Sequence, residues 1–237
     1  MTLLELSLRS VVRGKRVIAV VLLPVLVGFV AVMLAVTAGA SDRSDAYATL
    51  GGELLVLVLA LVGLVLGVNA FGDERDEGTL GLLLATTVPR PRIVLTKYAA
   101  AFAVTWIACL PATLGCLWLA TATDLSFGTA VWSLLLTSLL AAAAYSAVFV
   151  LLSLVLRRAI LVGLAYLVLW EGLLAGATTA FRNLSVGAYA SRVAAAPWDD
   201  PPFDVADVAV GVAAVVLVLV TVATVAAAAW RLPRAHV

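Results

Sequence analysis

Six stretches of this chain, 17–36, 54–71, 98–122, 129–156, 159–180 and 208–229, are almost continuously apolar. Each approaches or exceeds the roughly 20 residues that a helix needs to cross a hydrocarbon core about 30 Å thick. Runs of this kind leave few folds open. Closed β-barrels are excluded, because barrel strands alternate apolar and polar residues and these runs do not. The composition agrees: 64% of residues are hydrophobic, 12% are charged and the mean hydropathy is +1.16, whereas soluble domains carry about 25% charged residues. The expected fold is an all-α, polytopic membrane protein, with six transmembrane helices in one domain, 1–237.

Orientation follows from the basic residues, which are retained on the cytoplasmic side of short connections. With the N-terminus inside, the inner segments hold Arg9, Arg13, Lys15, Arg16, Arg75, Arg90, Arg92, Lys97, Arg157, Arg158, Arg231 and Arg234. The outer ones hold Arg43, Arg182 and Arg192, together with Asp42, Asp45, Glu53, Asp124, Asp199, Asp200, Asp204 and Asp207. Both termini are therefore expected in the cytoplasm. The net charge of +1 conceals this asymmetry and points to no nucleic-acid partner.

A cleaved signal peptide is the rival for the first run, since Ala38-Gly39-Ala40 before Ser41 resembles a cleavage site. The run 17–36 exceeds the roughly 7 to 15 apolar residues of a signal core, which argues for a span. The preceding segment, 1–16, has Leu4, Leu8, Val11 and Val12 on one helical face and Glu5, Arg9, Arg13 and Arg16 on the other. It is expected to lie as an amphipathic helix in the inner interface, although a basic flank that only sets topology would read the same way.

Chemistry-bearing motifs are scarce. Cys109 and Cys116 fall two turns apart within one run, roughly 10 Å between Cα atoms, beyond a disulfide's reach, and are expected as free core thiols. The sole histidine, His236, cannot hold a metal alone. The chain lacks a G-x-x-x-x-G-K-[ST] phosphate loop, an H-E-x-x-H pair and a G-x-S-x-G elbow. No catalytic residue, cofactor or metal site is therefore assigned, and the energy for any work must come from another chain.

The polar island between the second and third runs is the most informative segment. Asp73-Glu74-Arg75-Asp76-Glu77-Gly78-Thr79 precedes Leu80, Leu83 and Leu84 at helical spacing, and Pro89-Arg90-Pro91-Arg92 and Lys97 follow. Acids favour a helix N-terminus, Gly78 permits a change of direction, and the prolines are expected to end the short helix before Ile93. A helix so presented suits a partner's groove, while the plainer reading is a solvated loop.

Glu74-Arg75, Glu77-Gly78-Thr79, Leu82-Leu83-Leu84, Pro89, Arg90, Arg92-Ile93 and Lys97 together resemble the signature of the type-2 ATP-binding-cassette permeases, the membrane subunits of many prokaryotic exporters. The resemblance implies that 72–97 is a cytoplasmic coupling loop, with Glu74, Arg75, Glu77, Gly78, Thr79 and Leu80 against a separate ATPase subunit. It implies a prokaryotic cell-membrane protein that pairs with a second permease copy or homologue and two ATPases. ATP and Mg would then be bound in the ATPase, none by this chain, and membrane lipids would surround it. It also implies short outer-leaflet helices within the extracytoplasmic loop 181–207, which holds Trp198 and Pro201-Pro202.

Glu171 is the one ionisable group well inside a run. Counted from Arg158 at about 1.5 Å per residue, it sits about 20 Å into the core, where an acid costs about 2.5 to 3.5 kcal/mol unless paired, protonated or wet. It is expected either hydrogen-bonded to a group such as Tyr145 or Tyr166, or hydrated in a translocation path. Gly63/Gly67 and Gly172/Gly176 are candidate helix contacts, and Pro24 and Pro111 candidate bends. Two other functions compete with export. A non-transporting anchor or assembly subunit fits the same helices, and a secondary transporter would need more ionisable groups in its spans than Glu171.

Overall fold

The computed structural model describes residues 15–76, 89–123, 125–174, 179–198 and 201–231. Residues 1–14 of the expected interfacial helix 1–16, the connection 77–88 and His236 lie outside the described residues, while Lys15 and Arg16 begin the first described helix. All regular structure among them is helical: α1 Lys15–Thr37, α2 Ala40–Tyr47, α3 Leu55–Asp76, α4 Arg90–Ala120, α5 Phe127–Val155, α6 Ala159–Ala165, α7 Thr179–Arg182, α8 Val186–Ala194 and α9 Val210–Arg231. Two π-helical segments, Ala48–Leu54 and Tyr166–Leu174, continue α2 into α3 and prolong α6. Among the described residues five helices are long and apolar enough to cross a membrane, and Ala159–Leu173 is a shorter apolar helix. In lipid a helix satisfies its own backbone groups, which is why such runs take this form.

Two boundaries and the winding of one helix differ from the sequence reading. The second span does not begin at 54: the helix runs unbroken from Ala40, with Asp42 in its first turn, where a negative charge is favourable. The third span begins earlier than 98, since α4 starts at Arg90, whereas the short helix expected before Pro89 lies outside the described residues. Pro89 is the N-cap of α4 and Pro91 lies in its first turn, a position that suits proline's fixed φ and missing N–H. The fifth span, expected over 159–180, is helical through 174 and changes to π winding at Tyr166, with 175–178 outside the described residues.

Helices α3 and α5 form the centre. Gly63 packs against Tyr145 and Gly67 against Phe149, so the two run parallel, and a Cβ on Gly67 would stand 2.8 Å from that of Phe149. Helices α1 and α4 form a second parallel pair around Gly28, Pro111 and Gly115. A Cβ on Gly28 would come within 2.3 Å of the Pro111 carbonyl oxygen, and one on Gly115 within 2.4 Å of the Gly28 oxygen. Among the described residues a Cβ on Gly172 would meet only the Leu167 carbonyl oxygen of its own helix, at 3.6 Å, and Gly176 lies outside them. Between α4 and α5 the bridges are polar: Trp106 Nε1 donates to Ser138 Oγ at 3.3 Å and Ser146 Oγ to Thr105 Oγ1 at 3.3 Å. Cys109 and Cys116 are free and buried.

The two ends of the bundle differ. At one, Ala70 and Phe71 of α3, Ile93, Val94 and Ala101 of α4, Val150 and Leu154 of α5 and Ala228 of α9 form an apolar cluster. Arg92, Arg157, Arg158 and Arg231 are exposed at this end. At the other, α8 folds back onto α3, α5 and α9 with Val186, Ala190, Val193 and Ala194 buried. Ser191 Oγ donates to the Gly52 carbonyl at 3.1 Å, Arg192 Nε donates to the Val208 carbonyl at 2.8 Å, and Trp198 stacks on Tyr47 at 5.2 Å between centroids. The last long connection is thus a packed cap rather than an extended loop.

Candidate functional site

The polar island divides between elements. Residues 73–76 are the last turn of α3, and Glu77, Gly78, Thr79 and Leu80, with the short helix expected after them, lie outside the described residues. Glu74 and Arg75 therefore stand on a helix that reaches 76, and Arg90, Arg92 and Lys97 occupy the first turns of α4. The structure thus brings both supports of 77–88 to the basic end, joined through the apolar contacts of Ala70 and Phe71 with Ile93 and Val94. Lys97 was only part of a pattern in the sequence. In the structure it is 6% exposed, its Nζ donates to the Ala70 carbonyl, and its ammonium lies 5.0 Å from the centroid of the Phe71 ring.

Glu171 lies in the π-helical continuation of α6. The sequence offered Tyr145 or Tyr166 as partners, and both hydroxyls reach the carboxyl: Tyr145 donates to Oε2 at 2.5 Å and Tyr166 to Oε1 at 2.9 Å. On an α-helix the side chains that meet are three or four apart. Tyr166 and Glu171 are five apart, and the wider π winding brings them to one face. A third donor was not foreseen. The backbone N–H of Gly187, in the first turn of α8, donates to Oε1 at 3.3 Å, while the Ser185 N-cap hydroxyl accepts from Ala188 N–H at 3.2 Å. One carboxyl thus joins α5, the π segment and the N-terminus of α8, whose free N–H groups and dipole favour an anionic partner. No sequence signal announced the α8 contact, because it depends on the fold-back of the last connection.

Beside this carboxyl is a cleft of about 320 Å³, lined by Glu53, Val56, Leu57, Leu167, Glu171, Arg182, Ser191 and Asp204 among others. Arg182 Nη2 and Asp204 Oδ1 form an ion pair at 2.8 Å on its wall. Tyr145 and Phe149 stack at 6.1 Å, and Tyr166 meets the edge of Phe149 at 6.5 Å, so the phenols that hold Glu171 are themselves fixed by packing. Such an arrangement positions a helix and offers a polar surface within an apolar bundle. Among the described residues no group of three or more His, Cys, Asp or Glu is placed to hold a metal ion.

Among known families, a profile described as ABC-2 family transporter protein matches residues 11–170. The matched region contains α1 to α5, the whole connection 77–88 and most of the fifth apolar segment, and it stops just before Glu171. No curated protein matches the chain.

Proposed function

Because the chain belongs to the ABC-2 family of transporter proteins and is a multi-pass permease component rather than a catalytic one, we propose that it is half of the membrane path of an exporter. It pairs with a second permease, identical or homologous, and with two separate cytoplasmic ATPase subunits. ATP and Mg bind in those subunits. The carrying observation is the family match across 11–170 together with the convergence of both stems of 77–88 on the basic end of the bundle. In this reading Glu74, Arg75, Glu77, Gly78, Thr79 and Leu80 take the thrust of ATPase closure and pass it into α3 and α4. The cavity between the paired permeases then changes from inward to outward access.

Six crossings with both termini in the cytoplasm of a prokaryotic cell complete the proposal. The count is supported by the path of the chain. Leu154 of α5 and Ala228 of α9 share the basic end, while α8, just before α9, contacts Gly52 at the opposite end. The segment between α5 and α8 therefore returns along the bundle, and Ala159–Leu173 is read as the main part of a fifth crossing. The test is co-purification of the tagged full chain from its native membrane in mild detergent. The expected companion is a soluble ATPase with a phosphate-binding loop, and Glu77→Lys is expected to reduce its recovery at least several-fold without lowering the amount of inserted permease. Recovery of this chain with no ATPase across several detergents would overturn the reading.

A further inference from the structure

We infer that Lys97 is a positioning residue that ties the two stems of the connection 77–88, so that a push on the connection moves α3 and α4 as one body. This rests on the docking reading of that connection.

Lys97 is set apart from the other basic groups at its end of the bundle by burial: Arg92, Arg157, Arg158 and Arg231 are exposed, and Lys97 is 6% exposed. Exposed cations suffice to hold the end in the cytoplasm. A buried ammonium is unfavourable unless its protons are received, so its position calls for a different account. Its Nζ crosses from α4 to the Ala70 carbonyl of α3. A helical carbonyl already engaged in its own ladder keeps a second lone pair for such a donor. The same ammonium faces the Phe71 ring at 5.0 Å, within the range of a cation–π contact. Ala70 stands nearly two turns before the end of α3 at Asp76, and Lys97 about two turns after the start of α4 at Arg90. The tie therefore spans the stems at matching depth. Ile93 and Val94 close the apolar contact beside it. Apolar contacts tolerate sliding because they are not directional, whereas a hydrogen bond to one carbonyl sets the register of one helix against the other.

The test measures the stems directly. Spin labels at Gly72→Cys on α3 and Leu95→Cys on α4 report their separation in the full complex with its ATPase, in lipid nanodiscs, nucleotide-free and trapped with Mg-ATP and vanadate. Cys109 and Cys116 are buried, and labelling of the parent sets the background. With Lys97 present, one narrow distance distribution is expected, with the same mean in both states. Lys97→Met keeps the stem's length and apolar packing but removes the donor, and should at least double the width and let the mean shift on trapping. Lys97→Arg retains a cation and donors and should restore the narrow distribution. Phe71→Leu, which keeps a lysine and removes the ring, should broaden it partially and serves if Lys97→Met does not accumulate. Distributions for both Lys97→Met and Phe71→Leu that coincide with the parent's would overturn the tie. If the parent captures no ATPase, the docking reading and the transmission of a push fall together, while the distributions in the permease alone still decide whether Lys97 holds the stems.

Discussion

Glu171 shows how one residue can be conspicuous in sequence and still be explained only in three dimensions. Its isolation in an apolar run marks it, and Tyr145 and Tyr166 are natural candidates to meet it. The N–H of Gly187 is not, since it enters only when α8 folds back against the carboxyl. Glu171→Leu would leave two phenol hydroxyls and an N–H without this acceptor. At about 1 kcal/mol each, the low end for unmade hydrogen bonds of partly buried groups, the three contacts give an expected loss of about 3 kcal/mol, or roughly 6 to 12 °C in melting midpoint at about 2 to 4 °C per kcal/mol. Glu171→Gln keeps a carbonyl oxygen as acceptor and should lose less than half as much. Thermal unfolding of the two variants in one detergent checks the order. A Glu171→Leu midpoint equal to the parent's would mean that the three contacts carry no stability.

At the scale of elements, glycine spacing is a poor guide to which helices touch. Of the two G-x-x-x-G pairs visible in the sequence, Gly63 and Gly67 do seat α3 against α5, and Gly172 meets no other helix among the described residues. A close backbone approach joins Gly28 and Gly115, which lie on different helices and form no motif, because close packing needs only one small residue on each side at the same height. Gly115→Ala would place a methyl 2.4 Å from a backbone oxygen of α1 and must displace that helix. Overpacking of this kind costs about 1 to 3 kcal/mol. Gly211→Ala in α9 meets nothing within 4 Å and should instead stabilise, by up to about 1 kcal/mol through helix propensity. Opposite shifts in melting midpoint are therefore expected, and equal shifts would show that the α1–α4 contact yields without cost.

For the whole molecule, the asymmetry of charge makes a topological prediction. With six crossings, Ser41→Cys should react with an impermeant maleimide added to intact cells, and Arg158→Cys and Arg231→Cys only after permeabilisation. Buried Cys109 and Cys116 should keep the parent's background low. Labelling of Arg231→Cys from outside would reveal an odd number of crossings and would place the shorter helix Ala159–Leu173 outside the set of spans. The resemblance carried by 74–97 concerns one connection, and the matched family region extends over 11–170, so membership rests on far more of the chain than its motif.

The sequence alone determined the class of fold and the approximate place of most spans, because burial in lipid depends on run length and on internal satisfaction of the backbone, both local properties. It also singled out the connection between the second and third spans and the one acid inside an apolar run. Tertiary structure decided what is non-local. It extended the helix of the second span back to Ala40, put Pro91 in the first turn of α4, folded α8 into the end of the bundle and placed Lys97 across from Ala70. In an almost uniformly apolar chain the pattern of hydrophobicity no longer says which face of a helix turns inward. Steric fit at glycines and a few directional polar contacts make that choice, and both require the partner helix to be in place.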